Sequence, residues 1–99
     1  MHRVVFSPEA DSQLLSLYFH IATASSPEIA ASYTEAIVKQ CESLRMFPNR
    51  GTQRDEIRPG LRTFGFRRRV TIAFEVADEV VTILGIFYGG QNMEAAFDE

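Results

Sequence analysis

At 99 residues the chain has the length of one domain, read here over residues 1–99, and a domain this size buries roughly two thirds of its unfolded surface. Hydrophobic residues make up 45% of it and eight are Phe, which sets it among globular proteins and excludes a disordered chain. A formal net charge of −3 argues against a protein that coats nucleic acid through bulk charge, and no run approaches the roughly 18 apolar residues of a membrane span.

In chain order, Arg3 to Phe6 (RVVF) is a short apolar run and the expected first strand. Ser7-Pro8-Glu9 then starts a helix: Ser7 can accept from an unpaired backbone N–H, Pro8 suits the first helical position, and Glu9 complements the dipole. Ala10, Leu14, Leu17, Tyr18 and Ile21 recur at helical spacing, which carries this helix to about Ala24. Ser26-Pro27-Glu28 repeats the device. Ala30, Tyr33, Ile37, Cys41 and Leu44 mark the stripe of a second helix that ends near Phe47, before Pro48. The short link makes the two an antiparallel helical hairpin. Pro48-Asn49-Arg50-Gly51 reads as a turn and the segment on to Gly60 as a polar loop.

Leu61 to Phe66 is the next expected strand. Val70–Val76 (VTIAFEV) and Val80–Phe87 (VVTILGIF), linked by Ala77-Asp78-Glu79, give an antiparallel hairpin. Val70, Ile72, Phe74 and Val76 share one face that needs a core; Thr71, Ala73 and Glu75 share a face that suits water or a light cover. The second run is apolar on both faces, as a central strand is. Gly89-Gly90-Gln91-Asn92 is expected to end it, and Met93 to Glu99 to fray as an acidic tail. The fold class is α+β: an N-terminal strand and helical hairpin packed on an antiparallel sheet, in the order β-α-α-β-β-β.

Charge is unevenly spread. Residues 1–44 hold two basic and five acidic side chains, residues 45–69 eight Arg with Asp55 and Glu56, and residues 70–99 six acids and no Lys or Arg. Arg62, Arg67, Arg68 and Arg69 stand just upstream of the hairpin, so the sheet is expected to carry its positive charge at one end.

Several segments together resemble the ParE/RelE toxin superfamily of bacterial type II toxin–antitoxin systems, and within it the ParE branch. They are VVFSPEA opening the first helix, Cys41-Glu42-Ser43-Leu44 with Phe47-Pro48 closing the second, and Arg50-Gly51 in the turn. Arg54-Asp55-Glu56-Ile57-Arg58-Pro59-Gly60-Leu61-Arg62 precedes the sheet, and Ile83-Leu84-Gly85-Ile86-Phe87 lies in the last strand. The resemblance implies a toxin that inhibits DNA gyrase by binding, works in plasmid stabilisation, and is neutralised by a ParD-like antitoxin from the adjacent gene. It implies a cytoplasmic protein with no cofactor, no membrane and no direct sequence-specific nucleic-acid binding. Two alternatives follow from the same superfamily: a ribosome-dependent mRNA endonuclease of the RelE type, and an inactive, antitoxin-binding co-repressor.

An inhibitor needs a surface and no acid–base pair, so no catalytic residue is expected. Arg50, Arg54, Arg58, Arg62, Arg67, Arg68, Arg69 and Tyr88 are the candidates for target or antitoxin binding, since exposed Arg and aromatic residues are common interface anchors. Segment 45–69 is expected to attract the antitoxin's acidic tail. In the endonuclease alternative Arg62, Arg68 and Arg69 would meet phosphorane charge, with Tyr88 where such enzymes carry a terminal His or Tyr. Tyr88 and Gln91 replace the His and Arg often found in the closing segment of the superfamily, and no His is expected near the sheet. Each candidate also has a plainer reading. The Arg67–Arg69 run reads as strand with Arg68 opposite its neighbours, Arg62 as an ion pair tying loop to sheet, Tyr88 as a packed ring, Cys41 as core and His20 as helix surface. Neither the lone Cys41 nor the distant His2 and His20 make a metal signature or an intramolecular disulfide.

Overall fold

The computed structural model describes residues 1–89, 91 and 93–97. Gly90, Asn92, Asp98 and Glu99, which belong to the expected strand terminator and tail, lie outside the described residues. The elements are β1 (Arg3–Phe6), α1 (Pro8–Ala24), α2 (Pro27–Glu42), β2 (Thr52–Gln53), β3 (Arg62–Phe66), β4 (Val70–Ala77), β5 (Val80–Tyr88) and a single helical turn α3 (Met93–Ala96). Both long helices start as their sequences dictate. Ser7 Oγ accepts from the Ala10 N–H at 3.0 Å and Ser26 Oγ from the Ile29 N–H at 3.1 Å, each with Pro at the first helical position. The second helix passes into a 3-10 turn over Ser43–Arg45 and ends short of Phe47.

The sheet has the order β1-β5-β4-β3-β2. It is mixed rather than antiparallel, because β1 runs parallel to β5, with Arg3 opposite Val80 and Phe6 opposite Ile83. Direction was not legible in a four-residue apolar run. The helical hairpin returns the chain to its starting side, and the edge beside the final strand is open to either orientation. The polar segment 48–60 also contributes the two-residue strand β2, paired with Arg62 and Thr63 of β3.

Between Ala73 and Phe74 the register of β4 on β5 slips: Ala73 pairs with Gly85 and Phe74 with Ile83, leaving Leu84 as an extra residue on β5. A bulge of this kind reverses which face later residues take. Val81 and Ile83 pack under the helices before it, Ile86 and Tyr88 after it, and Leu84 and Phe87 turn to the other side. The cap residue of α1 and one side chain of the helix itself hold the bulge where β1 no longer covers β5. Ser7 Oγ donates to the Leu84 carbonyl at 3.2 Å, and Gln13 Oε1 accepts from the Ile86 N–H at 2.7 Å.

The main core lies between sheet and helices, with Ile37, Cys41, Leu44, Ile72, Phe74, Val81 and Ile83 fully buried. The opposite face carries a lighter cover, as expected: Leu61, Ala73 and Phe87 lie beneath Ile57, Leu84, Met93 and Phe97. The expected frayed tail is corrected here. Met93 and Phe97 stand one helical turn apart, and Phe97 meets the Phe87 ring edge-on at 6.0 Å.

Both β-hairpins turn through left-handed backbone. Phe66–Arg69 has φ of 51° at Arg67 and 64° at Arg68, closed by the Arg69 N–H donating to the Phe66 carbonyl at 3.2 Å; Asp78 and Glu79 have φ of 53° and 64°. Positive φ at both central residues defines a type I′ turn, whose twist matches paired strands. Arg67–Arg69 is therefore a turn and not the alternating strand read from the sequence. The error arose because such turns ordinarily advertise themselves with Asn-Gly or Asp-Gly, absent at both places.

Candidate functional site

The eight candidate residues fall into two separate groups. β3 places Arg62 at one end and delivers the chain to Arg67, Arg68 and Arg69 at the other, roughly 13 Å away at strand rise. The sheet thus carries positive charge at both ends, correcting the expectation of one.

The first group belongs to the loop between α2 and β3. Arg62 forms no ion pair among the described residues: its guanidinium donates to the carbonyls of Asn49 and of Arg50, the latter at 3.2 Å, and so clamps the turn onto the sheet through backbone. Arg50 donates to Ser43 Oγ at 3.0 Å and lies 4.5 Å over the Phe64 ring. Arg54 pairs with Glu56 at 2.7 Å, and this hydrogen bond holds the Glu56 carboxyl below its ordinary pKa. Arg58 reaches Glu75 at 3.7 Å and lies 5.8 Å over Phe97. Beside this loop Met46 and Phe47 are 62% and 65% exposed.

The second group gathers at the far end, where β3 turns into β4 and β5 finishes. Cross-strand register sets Phe66, Val70 and Tyr88 in one row under the helices. Gly89 N–H donates to the Arg69 carbonyl at 2.7 Å, which brings the Arg turn beside Tyr88. Arg67 lies 4.8 Å over Phe66 and 5.5 Å over Tyr33 of α2. Two residues read from the sequence as helix stripe and helix surface, not as site candidates, join them. Tyr33 stands edge-on to Phe66 at 5.4 Å, its hydroxyl shut from solvent with no hydrogen-bond partner among the described residues. Burial and the neighbouring Tyr88 raise its pKa against the lowering pull of Arg67 and Arg69. His20 is an exposed residue of α1, as read, yet its ring centroid lies 5.6 Å from that of Tyr88, so a histidine does stand by the sheet. Its spacing from Leu17 and Ile21 put it beside the apolar stripe; that the stripe crosses the end of β5 is a tertiary fact no local pattern carries.

The endonuclease quartet is only partly assembled: Arg68, Arg69 and Tyr88 share the far end while Arg62 serves the loop. Cys41 is buried core, its thiol pKa pushed up to about 12 chiefly by burial. Among the described residues no cluster of three or more His, Cys, Asp or Glu is placed to hold a metal ion, and no helix is long and apolar enough to cross a membrane.

The chain is thus an α+β protein, a strand and helical hairpin laid on a mixed sheet with a basic loop at one side. Residues 4–93 match the family model described as the ParE toxin of the type II toxin–antitoxin system, parDE, and the chain belongs to that family. It is 27% identical over 95 residues to toxin ParE3 of Caulobacter vibrioides, a match spanning 96% of this chain and 94% of that toxin. Its fold superposes with a TM-score of 0.79 on a chain of the chromosomal ParDE system of P. aeruginosa, 28% identical, over 90% of this chain and 97% of that one.

Proposed function

We propose that the chain is a toxin that acts by binding DNA gyrase without catalysing a reaction, and that a ParD-like antitoxin encoded beside it keeps it silent. What supports the reading is the match to the ParE toxin family over residues 4–93, together with two surface groups of Arg and aromatic residues at opposite ends of β3, each suited to contact.

An antitoxin segment has a natural place at β1. This edge strand has β5 as its one partner among the described residues. The N–H groups of Arg3 and Ser7 point into the sheet, toward Glu79 and Ile83. Val4 and Phe6, which alternate with them, therefore turn their backbone groups outward, where an extended peptide can add as a strand. Val5, Met46 and Phe47 are exposed apolar side chains near that route, and Arg50 and Arg54 supply charge complementary to an acidic tail.

The test is a supercoiling and DNA-cleavage assay with purified gyrase. Inhibition with accumulation of cleaved DNA, relieved by antitoxin, is the expected result. Intact gyrase activity together with ribosome-dependent mRNA cleavage, lost in Tyr88→Phe, would replace the proposal with the endonuclease alternative.

A further inference from the structure

We propose that β1 is also a contact between two copies of this chain, which pair edge to edge about a two-fold axis through Val5 and join their sheets into one. The pairing rests on the geometry of β1 and on neither the gyrase nor the antitoxin reading. Where an antitoxin adds at the same edge it displaces the second copy, so the paired form belongs to free toxin.

The register follows from which backbone groups are open. The N–H groups of Arg3 and Ser7 donate into the sheet, to Glu79 and Ile83, so by alternation Val4 and Phe6 direct their N–H and C=O outward. Beyond these two residues the edge has less to offer: the His2 N–H donates to the Arg45 carbonyl at 3.1 Å, and Pro8 has no N–H. One antiparallel register engages both open residues of both strands, with Val4 opposite Phe6 of the second copy and Phe6 opposite its Val4. Each such pair exchanges two hydrogen bonds. Val5, 37% exposed, then lies opposite Val5 of the second copy in the closer, non-hydrogen-bonded position, where β-branched side chains pack across strands.

Charge selects a second copy over another extended chain. Val4 and Phe6 pack against the main core, so Arg3 and Val5 face the opposite side of the sheet. Glu9 stands on that side as well, lining a cleft with Leu84, Phe87 and Phe97, and both Arg3 and Glu9 are exposed. In the register centred on Val5, Arg3 comes opposite Ser7 of the second copy, two residues from its Glu9, and the two-fold axis makes this contact twice. Within one chain the two charges do not meet. Arg3 to Phe6 alone spans about 10 Å at strand rise, and neither Arg3 nor Glu9 forms an ion pair among the described residues. At the other edge of the sheet β2 has two residues and follows Gly51 in left-handed backbone, too short a strand to template pairing. Association through β1 therefore closes at two copies instead of extending into a filament.

Sedimentation equilibrium of the purified full chain at low salt tests the proposal, from low micromolar to about 1 mM, the range in which so small an interface associates. A monomer–dimer equilibrium is expected, with hydrogen exchange at the Val4 and Phe6 amides slowing as the dimer fills. Val5→Lys sets two cations directly opposite each other, and Arg3→Glu or Glu9→Arg sets like charges together. Each should weaken the dimer roughly five- to one-hundredfold. An equimolar mixture of the Arg3→Glu and Glu9→Arg chains should pair again, because each supplies the charge that the other lacks; a merely structural loss would not be rescued. The last two substitutions fall on exposed side chains and remain readable if Val5→Lys fails to fold, which thermal melts establish. A chain that stays monomeric throughout would overturn the proposal. So would a dimer that leaves the Val4 and Phe6 amides exchanging at the monomer rate, or one that the charge substitutions leave intact, or a mixture that fails to recover.

Discussion

Gly51 and Gly60 bracket the basic loop and share a left-handed backbone, with φ of +86° and +84°, but differ in what surrounds them. A Cβ on Gly60 would meet no atom within 4 Å, whereas one on Gly51 would lie 2.4 Å from the Thr63 carbonyl oxygen and 3.1 Å from its carbon. Thr63 is buried and paired on both sides, with Thr52 and Ala73, so its backbone cannot yield alone. Gly60→Ala therefore carries only the conformational penalty, about 1–2 kcal/mol. Gly51→Ala carries the same penalty and must also part β2 from β3, which raises the total to about 3–5 kcal/mol, in the range of severe single substitutions. Against a typical stability of about 5–15 kcal/mol the first variant folds comfortably and the second is marginal. Urea unfolding with both arms fitted at a common slope gives the two values, and for a domain of this length each kcal/mol moves the melting midpoint by about 4–8 °C. Equal losses at the two positions, within about 0.5 kcal/mol, would refute the close approach of Gly51 to β3 and with it the clamp that Arg62 makes on the same turn.

Gln13→Ala should cost about 1–3 kcal/mol in urea unfolding, because the Ile86 N–H loses its acceptor at the bulge, and should speed hydrogen exchange at that amide; an unchanged exchange rate would show that water replaces the side chain without loss. Cys41 keeps its proton in the folded state up to about pH 12 but loses it near 9.0 when unfolded. Between those values the unfolded state binds fewer protons, so stability falls as pH rises, by about 1.4 kcal/mol per pH unit. Wild-type and Cys41→Ala stabilities measured from pH 8 to 10.5 should accordingly converge as pH rises, and parallel curves would contradict the buried thiol. Folded protein should also resist alkylation by iodoacetamide at pH 8, with modification following unfolding.

Much of the fold was legible because its signals are local. Two Ser-Pro-Glu starts placed the helices, alternation placed β4, and the stripe through Ile37, Cys41 and Leu44 placed the core face of α2. What escaped depends on partners remote in sequence. The run Ile83-Leu84-Gly85-Ile86-Phe87 is apolar enough to serve either face, so the bulge at Leu84 leaves no mark in the pattern. Parallel pairing of β1 is likewise set by the return of the helical hairpin. At the candidate site, the loop Arg residues were visible as charge, but whether each meets a carboxylate, a carbonyl or a ring was not. Arg62 chose carbonyls, Arg54 a carboxylate and Arg50 a ring. His20 and Tyr88 are 68 positions apart, and only the crossing of α1 over the end of β5 joins them.

Inhibition of gyrase by binding is stoichiometric, so a fixed concentration of gyrase is titrated with the purified chain. Supercoiling should fall to completion near equimolar ratio, and an equimolar amount of antitoxin should restore it. Full inactivation by a trace of the chain, or intact supercoiling at large molar excess, would rule out inhibition of gyrase by binding.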